Sequence, residues 1–110
     1  MEFNKLVRDR IPEIIERNGE CALTRILSSQ EFDKALNSKL LEEAGEVIDA
    51  KTKDEITEEL ADLLEVMMAK AKNNGIDFGD IESFRLKKSR VKGSFDEKIY
   101  LVSTTKSQGL

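Results

Sequence analysis

The chain has no histidine, no tryptophan, one proline and a single cysteine, Cys21, in 110 residues. Without histidine there is no Ser-His or Cys-His catalytic pair and no Cys/His zinc site. One cysteine cannot close an internal disulfide. No apolar run approaches the roughly 18 residues that a membrane helix needs, so no membrane partner is expected. The opening residues, MEFNKLVRDR, lack the apolar core of a signal peptide, and the expectation is a cytoplasmic protein. Positive charge is also in short supply. With 18 Lys and Arg against 22 Asp and Glu the net charge is −4, whereas a nucleic-acid groove needs a basic face. No nucleic-acid partner is expected. The two basic stretches, KLVRDR and RLKKSRVK, lie toward opposite ends of the chain. Each is either a solvated surface or part of a grip on one small anion.

What is present is charge and aliphatic bulk. Charged residues make up 36% and hydrophobic residues 39%, the balance of a soluble globule, and the length suits a single domain over 1–110. Pro12 stands where a first helical turn begins, and Ile11, Ile14 and Ile15 continue a short amphipathic helix to the stop at Asn18-Gly19. Ser28 with Glu31 is a capping-box pattern that opens a long helix to about residue 51, and Thr52 with Glu55 opens another that runs to the stop at Asn73 to Gly75. Asp77 can cap a fourth helix through about Val91, ended by Gly93. Between and after these, CALTRIL (21–27) and KIYLVSTT carry strand-like residues and are expected to pair. The final KSQGL is expected to fray. The fold class is therefore mainly α, a helical bundle with a small two-stranded β appendage.

Two acidic stretches stand out, KLLEEAGEVIDA and EELADLLEVMMA. With Leu36 at zero on a helical wheel, Phe32, Leu40, Ala44 and Val47 define an apolar arc from about 320° to about 80°. Glu43 falls inside it at about 340°, and Glu46 at its edge at about 280°. Glu42 and Asp49 fall on the polar side. On the next helix, with Leu60 at zero, Ile56, Leu63, Leu64, Met67 and Ala71 span about 300° through 40°. Glu59, at about 260°, lies between Val66 and Leu63, and Asp62 lies just outside at about 200°.

Burying ionised carboxylates together costs on the order of several kcal/mol each unless positive charge compensates them. Lys39 is placed to pair with Glu43, but one lysine does not offset four acids. A hard divalent cation does, and magnesium takes a few carboxylate oxygens while keeping open positions for substrate phosphates. The same spacing is also common on solvated helices, so the pattern alone leaves both readings open. A di-iron bundle normally uses Glu-x-x-His pairs, which this chain cannot supply.

The chain resembles the all-α nucleotide pyrophosphohydrolases, the MazG-like and phosphoribosyl-ATP pyrophosphohydrolase-like proteins. Their E-E-x-x-E and E-x-x-D signatures are matched by Glu42, Glu43 and Glu46 and by Glu59 and Asp62. NKLVRDRIPEII is similar to the opening of a small single-domain subgroup, and KGSF (92–95) is similar to its R-G-G-F, with Lys92 and Ser94 as departures. The likeness runs from Lys5 to about Val102. It implies magnesium held by Glu43, Glu46, Glu59 and Asp62, and manganese, which shares the preference for oxygen ligands, is expected to substitute. It also implies hydrolysis of a nucleoside triphosphate to the monophosphate and pyrophosphate. Glu43 then acts through the metal, and Glu42 is the candidate to orient or deprotonate the attacking water. Lys5, Arg8, Arg10, Lys39, Lys88 and Lys92 are candidates to grip the nucleotide's phosphates as charge-assisted donors. Two alternatives stand beside this reading: phosphoribosyl-ATP hydrolysis in histidine biosynthesis, and a regulatory module that binds nucleotide and metal without turnover. Apolar arcs this wide on a short chain also predict a homo-oligomer, at least a dimer.

Overall fold

The computed structural model describes residues 1–107, and among them the regular structure is helical: α1 (Ile11–Arg17), α2 (Ser29–Asp49), α3 (Lys53–Asn73) and α4 (Phe78–Lys92). The chain divides into two compact units, Met1–Phe78 and Gly79–Leu110. The first holds α1 to α3, and α4 begins on its last residue.

Local chemistry sets the helix ends. Ser28 Oγ accepts from the Glu31 amide while the Glu31 carboxylate accepts from the Ser28 amide, so the capping box of α2 is complete. At α3 only half of that device forms. Thr52 Oγ1 accepts from the Glu55 amide, but the Glu55 carboxylate reaches past it to the amide of Lys51. The helix α2 ends at Asp49, two residues short of the expected limit, because Ala50 turns to an extended conformation. Gly75 and Gly93, each with positive φ, follow α3 and α4 closely, as a backbone leaving a helix in the left-handed region requires.

The 21-residue helices α2 and α3, each about 31 Å long, pack against each other as an antiparallel pair joined by residues 50–52. Their far end is pinned by side chains. Lys70 Nζ lies 2.8 Å from Asp33 Oδ2, Asn74 Nδ2 donates to Asp33 Oδ1, and Asn73 exchanges hydrogen bonds with Ser29. Among the described residues Leu36 (1% exposed), Val66 and Ala71 are the buried apolar ones, flanked by half-buried Phe32, Leu40, Ala44, Val47 and Leu63.

Two expectations are corrected. Of the expected α3 arc Ala71 is buried and Leu63 half-buried, yet Ile56, Leu60, Leu64 and Met67 are exposed, and burial shifts toward the side of Val66. The helix meets α2 with the edge that carries Glu59. Second, no strand forms among the described residues: 21–27 and the KIYLVSTT segment are irregular. Strand propensity expresses fit to a half-buried pleated surface. Leu23, Ile26, Ile99, Tyr100, Leu101 and Val102 are all exposed and have no such surface to join. Of the expected frayed end at 106–110, residues 108–110 lie outside the described residues.

Candidate functional site

The edge on which α3 meets α2 brings carboxylates of both helices together. One oxygen each from Glu43, Glu59 and Asp62 lie within 4.8 Å of one another. Glu43 is buried, with 9% of its surface exposed, while Glu59 and Asp62 are half-buried. The α2 wheel anticipated Glu43. On α3 the wheel set Glu59 between Val66 and Leu63 and left Asp62 just outside; the side of α3 that meets α2 carries both acids and leaves Leu60 and Leu64 exposed.

The chain supplies cations to two of the three acids. Lys39, one turn before Glu43 and itself mostly covered, places Nζ 3.7 Å from Glu43 Oε1 and 3.3 Å from Glu42 Oε2. Arg8 reaches in from the segment before α1 and sets Nη2 2.7 Å from Asp62 Oδ1. Among the described residues Glu59 has no ion-pair partner. Its carboxyl is accordingly pushed above the ordinary glutamate range, first by desolvation and then by the charges of Glu46, Asp62, Glu43 and Glu58.

Glu46 is exposed and stands outside the three-oxygen cluster, but it is the foremost charge acting on Glu59. Glu42 is exposed and held by Lys39. Lys5 lies with its ammonium 5.9 Å from the centre of the Phe3 ring, and Arg10 is the N-cap residue of α1. Neither forms an ion pair with the acids among the described residues. Lys88 and Lys92 are exposed on α4, in the second unit. Two features had not been anticipated: the contact of Arg8 with Asp62, and the charge that Glu58 adds to the cluster.

The donor set is all carboxylate oxygen, the chemistry that magnesium and manganese prefer. Two oxygens on one magnesium ion stand at most about 4.2 Å apart, twice the usual metal–oxygen distance. Adjacent oxygens on such an ion stand about 3 Å apart, so three oxygens that lie within 4.8 Å of one another draw closer to share one, a movement that half-buried Glu59 and Asp62 leave room for. The three residues fit a divalent cation.

Comparison with known proteins agrees with this chemistry. Residues 2–90 match the family model described as phosphoribosyl-ATP pyrophosphohydrolase. A protein of Mycolicibacterium smegmatis, described only as an uncharacterized protein, is 48% identical over 50 residues, which cover 46% of this chain and 51% of the relative. The match thus spans about half the length of that curated relative. No solved structure matches the chain.

Proposed function

Because the chain belongs to the phosphoribosyl-ATP pyrophosphohydrolase family, we propose that it is a magnesium-dependent enzyme that hydrolyses a nucleoside triphosphate to the monophosphate and pyrophosphate. The observation that carries this reading is the convergence of Glu43, Glu59 and Asp62 with more negative charge than Lys39 and Arg8 offset. Such an excess is unfavourable unless a cation joins it. Glu43, Glu59 and Asp62 would hold the ion, with Glu46 completing the acidic surround. When bound, magnesium supplies charge neutralisation for phosphate oxygens and a more acidic water.

The protein's own groups supply the rest. Glu42, exposed and tied to Lys39, would orient the attacking water or take its proton. Lys5, Arg8, Arg10 and Lys39, all of the first unit, are proposed as donors to phosphate oxygens of the substrate and of the departing pyrophosphate. Phosphoribosyl-ATP is the second substrate reading, favoured by the description of the family. It preserves the same bond cleavage on a modified adenine nucleotide.

We also propose that a second copy of the chain covers the exposed stripe of Leu60, Leu64, Met67 and Met68 on α3. An apolar surface that continuous is unfavourable in water. Sedimentation should give at least a dimer, and Leu64→Glu should shift it toward monomer.

The deciding experiment is a panel of nucleoside triphosphates together with phosphoribosyl-ATP, each with magnesium, scored for pyrophosphate and monophosphate. Orthophosphate as the first product would contradict the proposed cleavage. Release of nothing from any substrate would favour a binding module without turnover.

A further inference from the structure

The contact between Arg8 and Asp62 joins residues 54 positions apart and places a guanidinium on one of the three clustered acids. Lys39 also serves the cluster, but it lies one turn from Glu43 on the same helix, a local pairing. Arg8 differs. Its backbone is anchored where its carbonyl accepts from the Ile11 amide at the start of α1, and half-buried Leu6, Ile11 and Pro12 flank it. Its side chain, more than half exposed, is long enough to exchange one partner for another without moving that anchor.

Resting on the metal-site reading above, we propose that Arg8 is a removable counterion. It neutralises Asp62 while the site lacks its metal, is released when a divalent cation takes Asp62, and is then free to hold a phosphate of the substrate. The chemistry favours this order. Asp62 oxygen committed to a guanidinium at 2.7 Å is a poorer metal ligand, because the cation must displace a charge-assisted hydrogen bond and approach a like charge. Once displaced, the guanidinium stands beside a metal site with its donors unspent, and phosphate oxygens are the partners its planar fork suits best. Binding of the metal would thus ready the phosphate grip, so that an anion meets a strong site only after the cation is in place.

This role has a signature that a purely structural arginine lacks. Arg8→Ala should bind manganese, measured by calorimetry without substrate, about 2- to 5-fold more tightly than the unaltered protein, the scale of an exposed ion pair. The gain should shrink at high salt. In the same variant, pyrophosphate binding with saturating magnesium should weaken by about 10-fold or more, and Arg8→Lys should fall between on both measures. Far-UV circular dichroism of each variant establishes that the helices persist. If Arg8→Ala weakens manganese binding, the arginine holds Asp62 in its liganding position and the exchange is refuted; unchanged manganese affinity refutes it equally. Asp62→Asn separates the two levels of the claim. Manganese binding unaffected by that substitution would overturn the metal-site reading itself, whereas its loss, together with an unresponsive Arg8→Ala, would overturn the exchange alone.

Discussion

The two ends of the α2 and α3 pair use the same residue types to opposite effect. At one end Asp33 meets Lys70 and Asn74 at 2.8 Å each, and its carboxyl is held below the ordinary aspartate range by those two hydrogen bonds. Toward the other end three carboxylates share two cations, and Glu59, which has neither, is pushed up. An acid matched by a partner stabilises the pair of helices. Acids gathered in excess of their partners make sense as a place for something the chain does not itself contain.

The comparison breaks most visibly on activity. Glu43→Gln removes a buried clustered oxygen and should lower turnover on the order of 100-fold or more, as the loss of a metal-site group does. Asp33→Asn should leave turnover within about 2-fold while lowering the melting temperature, because it abolishes the ion pair and spares the proposed metal site. Steady-state kinetics beside thermal melts of both variants check this. Equal losses of turnover would mean that the ends do not differ in kind.

Magnesium should separate the ends next. A ligand that binds only the folded state at about 100 times its dissociation constant stabilises by about 2.7 kcal/mol, and Asp33→Asn should keep that gain in full. Glu59→Gln should lose most of it, while the metal-free protein becomes equally or more stable because one repelling charge is gone. Paired denaturant melts with EDTA and with excess magnesium measure both quantities. A full-size magnesium response in Glu59→Gln would remove Glu59 from the ligand set.

How much of this was legible in the sequence depended on how local each cause was. The Ser28 and Glu31 box and the Asn73 to Gly75 stop need only neighbours within a turn, and both form where expected. Glu43 was legible because the apolar arc of α2 points one way, toward α3. On α3 the wheel located the arc but not which edge of it meets α2, and the observed choice of Val66 over Leu60 is set by tertiary packing. The pairing of Arg8 with Asp62 lay beyond any local pattern. The strand expectation failed for the same reason: β-branched residues at 21–27 and after 98 announce a propensity, but a strand also needs a partner.

Acid should act on the two ends with opposite sign. Glu31, in the capping box near Asp33, is held down to about 2 from an ordinary 4.5 by Arg25 and the Ser28 amide. A carboxyl lowered by folding contributes stability above its unfolded value and loses it as the pH falls, here between about 4.5 and about 2. Asp33 is lowered as well and acts in the same sense. Glu59 is raised, so its contribution is most favourable below its unfolded value and is lost as the pH climbs through its folded one. In EDTA, Glu31→Gln should therefore flatten the acid limb of the stability curve below about pH 4.5. Glu59→Gln should leave that limb and flatten the decline at higher pH. Two variants with the same altered limb would show that the ends titrate as one.

The smallest expected effect lies within α2 itself. Asp49 shares the helix with Glu43 but sits on the polar side of the wheel and is exposed. It is the last residue of α2, in a final turn that holds no basic side chain, where a negative charge faces the negative end of the helix dipole. Asp49→Asn removes that unfavourable juxtaposition without touching the clustered oxygens. Stability should move by no more than about 0.5 kcal/mol, in the direction of gain, and turnover and the magnesium response should match the unaltered protein. The measurement is a denaturant melt with and without magnesium beside an activity assay. A loss of magnesium response comparable to that of Glu43→Gln would mean that any acid on this helix serves, and that the direction in which Glu43 points has no bearing on the site.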